Sequence, residues 1–356
     1  MKTLLAFFLL ISSTIALAEL KIEHGVQIYY SEAIDVFEIS DNLALGEYKE
    51  NDYYRYWVSN LGLDSSEKSL LNKYKKLREK YYPEFLQRNE VPEIGNSLFT
   101  MNSISNTDRY AQAFYSSESV DEALKKLATN VMSIDEVKFL ADFFRTLKPK
   151  ISTMVKESTM FKGKMTELNR ALNADRPKRL LRNAAKFLAV SERYPDDLPL
   201  FFVWWPALSK PQIDIVGNYA IMRFNPIQHT QELNEEVLIT RVIQAYMIKQ
   251  SKNQKDNLSK QFLLNCDPRN FLKAENVLQN PLTVVLGKMS LEEEKTQRDF
   301  DLTQDWNLGH WGNSYARLLY PVVKGLSKNG KETINGSFVT RATTLCKDLV
   351  NIRKDK

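Results

Sequence analysis

Helical periodicity dominates the chain. From Ser66 to Tyr82 a highly charged segment places Leu70, Leu71, Tyr74 and Leu77 on one stripe. Pro83 ends it, because proline lacks the N–H that the next turn needs. Asp64 with Glu67, Ser119 with Glu122, Ser133 with Glu136 and Ser290 with Glu293 have capping-box spacing. In such a box each side chain satisfies the other residue's backbone N–H. Ala123, Leu124 and Leu127 follow Ser119, and Val137, Leu140 and Phe144 follow Ser133, at helical intervals. Leu233, Val237, Leu238, Val242, Ala245 and Tyr246 share the face of a helix expected over 235–250. Phe338, Ala342, Leu345, Leu349 and Val350 do the same for a C-terminal helix.

Strand patterns are fewer and cluster in the middle. Phe201 to Trp205 is a short apolar run closed by Pro206. Ile213, Ile215 and Val216 precede Gly217-Asn218, and Tyr219 to Phe224 follows, which predicts a two-residue hairpin. A further strand is expected at Tyr110 to Tyr115. No repeat, low-complexity linker or shift in composition divides the chain. The expected fold class is therefore α+β, mainly α-helical, with one small sheet and a single domain over 19–356.

Residues 1–18 read as an export signal: Lys2, an apolar stretch from Leu4 to Leu17, and the small-x-small site Ala16-Leu17-Ala18. The apolar run is short for a bilayer span and is broken by Ser12, Ser13 and Thr14. The mature chain is expected to begin at Glu19, in the periplasm or outside the cell. No later stretch suits a membrane span; Phe201 to Trp205 is too short. The net charge is only +5, and basic residues alternate with acidic ones nearly everywhere, which argues against a nucleic-acid surface. Cys266 and Cys346 are the only cysteines. In an oxidising compartment they pair or stay as two separate buried thiols, and pairing would be worth roughly 4 kcal/mol on the chain-entropy account.

Catalytic motifs are absent. The three histidines, His24, His229 and His310, have no His, Cys or acidic partner at ligand spacing on a shared helix. There is no HExxH, Gly-rich phosphate loop, GxSxG or CxxC. Asp41, Asp52 and the Glu292-Glu293-Glu294 run offer carboxylates, the last read as a solvated first turn after Ser290.

One segment alters this picture. The hairpin from Gln212 to Phe224, an acidic connector and the helix from Glu235 to Gln250 resemble the active-site segment of exported bacterial zincin-type metallopeptidase-like proteins. In that family two His of HExxH, one turn apart, hold zinc, and the Glu is the general base. Here Thr240 and Gln244 stand where the two His belong, and Arg241 stands where the base belongs. Gln279 to Gly287 is similar to the family's second active-site helix, with Asn280 at the third-ligand position. Trp311 followed by Tyr315 to Pro321, and the helix after Phe338, are similar to its closing helices.

The resemblance implies a zincin-like fold with a small mixed sheet and a degenerate active-site helix. Thr and Gln are poor zinc ligands, and a guanidinium repels a divalent cation. No metal or other cofactor is therefore expected. The leading expectation is a catalytically inactive metallopeptidase-like protein that binds a peptide or protein, with Arg241 as anchor and Thr240, Gln244 and Asn280 as neutral walls. A more ordinary reading makes 235–250 a core helix, with Arg241 paired to Glu236 or another acid. Two alternatives stand beside these. One is an active hydrolase built on His229 or His310. The other is a cell-envelope scaffold presenting Tyr53-Tyr54-Arg55-Tyr56-Trp57. Asn257 and Asn335 begin Asn-x-Ser sites, relevant only in a host that glycosylates exported proteins.

Overall fold

Helix α1 (Glu32–Gly46) is buried along its whole length after the first residue, and its neighbours are arranged around it. The computed structural model describes residues 25–48, 50–87, 103–104, 108–155, 159–190, 197–206, 212–216, 219–225, 227, 233–266, 277–291, 303, 305–306, 308–327, 333–334 and 336–354. The expected export signal, His24, His229, the hairpin loop Gly217-Asn218, the Glu292–Glu294 run and Asn335 lie outside these residues.

Five strands form one mixed sheet in the order β1-β3-β5-β4-β2. They are β1 (Gly25–Tyr30), β2 (Ser103–Ile104), β3 (Asp197–Trp204), β4 (Gln212–Val216) and β5 (Tyr219–Phe224). β1, β3 and β5 run parallel, with Phe202 between Tyr30 and Met222. β4 returns antiparallel to β5, pairing Val216 with Tyr219 as a two-residue hairpin requires. β2 pairs parallel to β4. Every residue from Ala220 to Phe224 is buried, so β5 is covered on both faces.

The outer edge of β1 is closed by side chains that stand in for a strand. Asn169 on α7 (Thr159–Leu172) accepts from the Ile28 N–H at 2.9 Å and donates to the Ile28 carbonyl at 3.2 Å. Asn173 donates to the Val26 carbonyl at 3.1 Å. Backbone groups that would otherwise invite another chain are thereby occupied.

Around the sheet lie α2 (Asp52–Tyr56), which runs into a wide π-type turn (Trp57–Leu61), α3 (Ser65–Tyr81), α4 (Arg109–Tyr115), α5 (Val120–Asn130) and α6 (Ile134–Met154). Then come α8 (Asp175–Phe187), α9 (Glu235–Lys249), α10 (Lys252–Asn265) and α11 (Gln279–Val284), which continues into a second π-type turn (Val285–Met289). α12 (Gly309–Ser327) and α13 (Ser337–Lys354) complete the chain. The protein is thus mainly helical with one small sheet. Among the described residues, no helix is long and apolar enough to cross a membrane.

Local signals explain most helix starts and one failure. Asp64 and Ser133 form full capping boxes. Ser119 caps the Glu122 N–H, but the Glu122 carboxylate turns to the Glu118 N–H instead. Ser290 lacks the extended backbone of an N-cap: it sits in helical conformation at the end of the π-type turn, its hydroxyl donates to the Val285 carbonyl at 2.9 Å, and Glu293 lies outside the described residues.

Two further expectations are corrected. Tyr110 to Tyr115 is helix α4, not a strand. Asp108 caps it by accepting from the Ala111 N–H at 2.9 Å, and burial of Tyr110, Ala111, Ala113, Phe114 and Tyr115 shows no two-residue alternation. The segment Tyr53–Trp57 is not an aromatic surface either. Tyr53 and Trp57 are fully buried, and the Tyr53 hydroxyl donates to the Trp204 carbonyl.

The core contains an ion network that ties α1 to its neighbours. Arg78 on α3 is wholly buried and grips two carboxylates. Its Nε and Nη2 reach Asp41 at 3.0 Å each, and its Nη1 and Nη2 reach Asp108 at 3.0 and 2.6 Å. Tyr74 donates to Asp41 at 2.6 Å. The guanidinium lies 4.4 Å from the Tyr110 ring centre, 5.1 Å from Phe85 and 5.3 Å from Phe37. Burial alone would lower the Arg78 pKa, but Asp41 and Asp108 outweigh it and hold the group firmly cationic. One turn earlier on α1, Glu38 accepts from Tyr115 and from Arg223 on β5, with Arg223 Nη2 at 2.7 Å. Asp35 accepts from the Trp204 N–H at 2.9 Å.

A disulfide joins Cys266, at the end of α10, to Cys346 on α13, with Cα atoms 5.8 Å apart. It closes a separation of 80 residues, which on the chain-entropy account is worth about 4 kcal/mol.

Replacing Arg78 by Met should destabilise the protein by about 3–5 kcal/mol, because two carboxylates stay buried without their cation. Adding Asp41→Asn and Asp108→Asn should recover part of that loss. Denaturant unfolding of both variants measures this, and a loss below about 1 kcal/mol for Arg78→Met contradicts the role assigned to the network.

Candidate functional site

Helix α9 begins at Asn234, whose side chain accepts from the Val237 N–H at 3.0 Å. Glu235 and Glu236 occupy its first turn, where carboxylates are favoured by the helix dipole. Leu238, Ile239, Val242, Ile243, Ala245, Tyr246 and Met247 bury the helix among β4, α7, α8 and α11.

α9 and the α11 segment pack antiparallel. The Thr283 hydroxyl lies 3.5 Å from the Met247 sulfur. Four residues on, Gly287 approaches α9 so closely that a Cβ there would stand 3.3 Å from Thr240 Oγ1 and 3.4 Å from the Ile243 side chain. Lys288 then pairs with Glu236 at 3.1 Å. Glu236 is therefore spent on Lys288 across the helix pair rather than on Arg241.

Three of the four residues singled out from sequence come together on α9. Thr240 is half-buried, and its hydroxyl donates to the Glu236 carbonyl one turn back at 2.7 Å. Arg241 is half-buried and donates through Nη1 to Gln244 Oε1 at 2.9 Å. Gln244 itself is buried, with 9% exposure. Burial lowers the Arg241 pKa from its ordinary value. Asn280 is half-buried on α11, one turn before Thr283. The antiparallel register carries it beyond Met247 toward the C-terminal end of α9, away from Thr240.

These side chains do not suit zinc. The Thr240 hydroxyl is engaged by its own helix, and the Gln244 carbonyl oxygen, its best donor to a cation, already accepts from a guanidinium. Among the described residues, no three His, Cys, Asp or Glu side chains are placed to hold a metal ion. His310 lies exposed in the first turn of α12. Its neighbour Trp311 is buried, and Tyr315 donates to the Ala342 carbonyl at 2.8 Å, fastening α12 to α13.

Sequence reasoning passed over two polar clusters. Asp35, Glu38 and Asp41 recur at three-residue intervals on α1, within a segment otherwise rich in Ile, Val, Phe and Leu. Acids on one face of a helix that is apolar elsewhere signal buried, partnered charge. The second cluster caps the C-terminal ends of α8 and α9. Gln250 and Gln254 donate to the Leu188 carbonyl at 2.7 and 3.2 Å, and Lys255 donates to the Ile248 carbonyl at 2.9 Å. Beside them Lys249 is brought down to about 8, first by burial and then by the charge of Lys255.

A lysine that is harder to charge when folded than when unfolded favours the native state as it loses its proton. The Lys249 contribution is complete above its ordinary 10.5 and is lost as pH falls through about 8. Denaturation midpoints for the protein and for Lys249→Met should therefore differ by an amount that changes between these two pH values. The parent should gain more than the variant as pH rises. A constant difference contradicts the assignment. Compared with protein-family models, with curated proteins and with solved structures, the chain matches none.

Proposed function

We propose that this chain is an exported, catalytically inactive member of the zincin-like metallopeptidases, whose former active-site helix binds a peptide or protein partner. The order of hairpin, α9 and antiparallel α11 supports the resemblance read from Gln212 onward, while Asn280 stands apart from the group formed by Thr240, Arg241 and Gln244. The observation that carries the reading is the Arg241–Gln244 pair. A cation and a neutral amide, held together at 2.9 Å, occupy positions that the resemblance assigns to a general base and a zinc ligand.

A half-buried guanidinium is suited to a carboxylate. Its planar donors match both oxygens, and reduced solvation strengthens the attraction. Thr240 and Gln244 would flank the ligand rather than hold a metal. The hydrolase alternative receives no support from His310, which is exposed. The scaffold alternative rested on Tyr53 and Trp57, which are buried.

The test uses a pool of fluorescent hexapeptides with free C-terminal carboxylates and the same pool amidated. The free pool should bind about ten-fold or more tightly than the amidated pool, the value of a charge-assisted hydrogen bond. Arg241→Ala should abolish that preference without altering the circular dichroism spectrum, and Arg241→Lys should keep part of it. Undiminished preference in a folded Arg241→Ala protein overturns the proposal.

A further inference from the structure

Helix α8 departs from the charge alternation seen along most of the chain. Its 13 residues carry Arg176, Lys178, Arg179, Arg182 and Lys186, against the single acid Asp175 at the start. The buried side chains Pro177, Leu180, Leu181, Ala184, Ala185 and Phe187 turn one face inward. At about 100° per residue, Arg176, Arg179, Arg182 and Lys186 fall within an arc of about 120° on the opposite face. All four are exposed. Asp175 falls within the same arc, so the face as a whole remains strongly positive. The helix is about 20 Å long, and the cations recur every turn along it.

We propose that this face of α8 is a docking surface for the anionic phosphate headgroups of a lipid bilayer. Three observations favour a bilayer over other polyanions. The exposed arc carries no aromatic side chain on which nucleic-acid bases could stack. The apolar residues of α8 are committed to the protein core, so contact is by charge at the membrane surface and not by insertion. The export signal expected at the N-terminus would place the chain where lipid phosphate is the abundant polyanion. Three arginines among the four cations suit phosphate, which their planar donors engage in pairs.

Co-sedimentation of the purified full-length chain with vesicles tests this. One set is pure phosphatidylcholine, and the other contains 30% phosphatidylglycerol. Any contribution of the apolar N-terminal stretch appears with both lipids and in every variant, so the difference reads α8. Binding should favour the anionic vesicles and weaken as salt rises. Each cation near the surface contributes about five-fold to partitioning, so Arg176→Gln with Arg182→Gln and Lys186→Gln should cost about 100-fold. The matched variant Lys68→Gln with Lys73→Gln and Lys76→Gln, on the exposed side of α3, should cost far less.

No preference for anionic vesicles overturns the proposal. So does an equal loss in the α3 variant, which would reduce the effect to net charge. Tighter binding to duplex DNA than to the vesicles at the same salt would assign the surface to nucleic acid instead.

Discussion

The guanidinium of Arg78 has no water to solvate it, and that constraint organises one side of the molecule. Its N–H groups are taken up by Asp41 and Asp108, and its flat faces by aromatic rings. Asp41 belongs to α1, Arg78 to α3, and Asp108 is the cap of α4, so one cation locks three helices in register. Three buried carboxyl groups, Glu38, Asp41 and Asp108, are held by two guanidinium groups, Arg78 and Arg223, and the buried Asp35 lies on the same face of α1 as Glu38 and Asp41. The remaining acceptor capacity is met by the Tyr74 and Tyr115 hydroxyls and by the backbone N–H groups of Trp204 and Ala111. Such a network stabilises only when complete, because each member deserted by its partner keeps the full cost of burial.

The same helix connects the network to the sheet. Glu38 holds Arg223 on β5, and Asp35 holds the backbone at Trp204 on β3. β5 forms the hairpin with β4, and β4 is among the elements that pack on α9. The placement of Arg241 thus depends on a chain of contacts that begins at α1. A second set of constraints acts from the other side. Gly287 brings the α11 segment within contact of Thr240, and the Lys288–Glu236 pair fixes its register.

Elements governed by local chemistry were legible in the sequence. Pro83 ended α3 where expected, β4 and β5 paired antiparallel as the hairpin pattern required, and two of the four capping boxes closed in full. Where neighbours decide the outcome, pattern failed. Tyr110 to Tyr115 was expected as a strand, yet the Asp108 cap starts a helix there, and Arg109, Gln112 and Ser116 line its one less buried face at helical spacing. Asp41 looked like an available carboxylate, but only the fold brings Arg78 and Tyr74 to it from 37 and 33 residues away. The cysteine pairing was undecidable for the same reason, since α10 and α13 meet only in three dimensions. On α9, residue identities were plain, but the Arg241–Gln244 bond and the position of Asn280 beyond Met247 required the packing of α11.

The account of α9 rests on a donor set that does not suit zinc, and metal content measures that directly. The purified chain should carry no stoichiometric zinc by elemental analysis, and titration with zinc should leave it folded and unsaturated at equimolar metal. One tightly held zinc per chain would contradict the account and return a metal-dependent hydrolase to consideration.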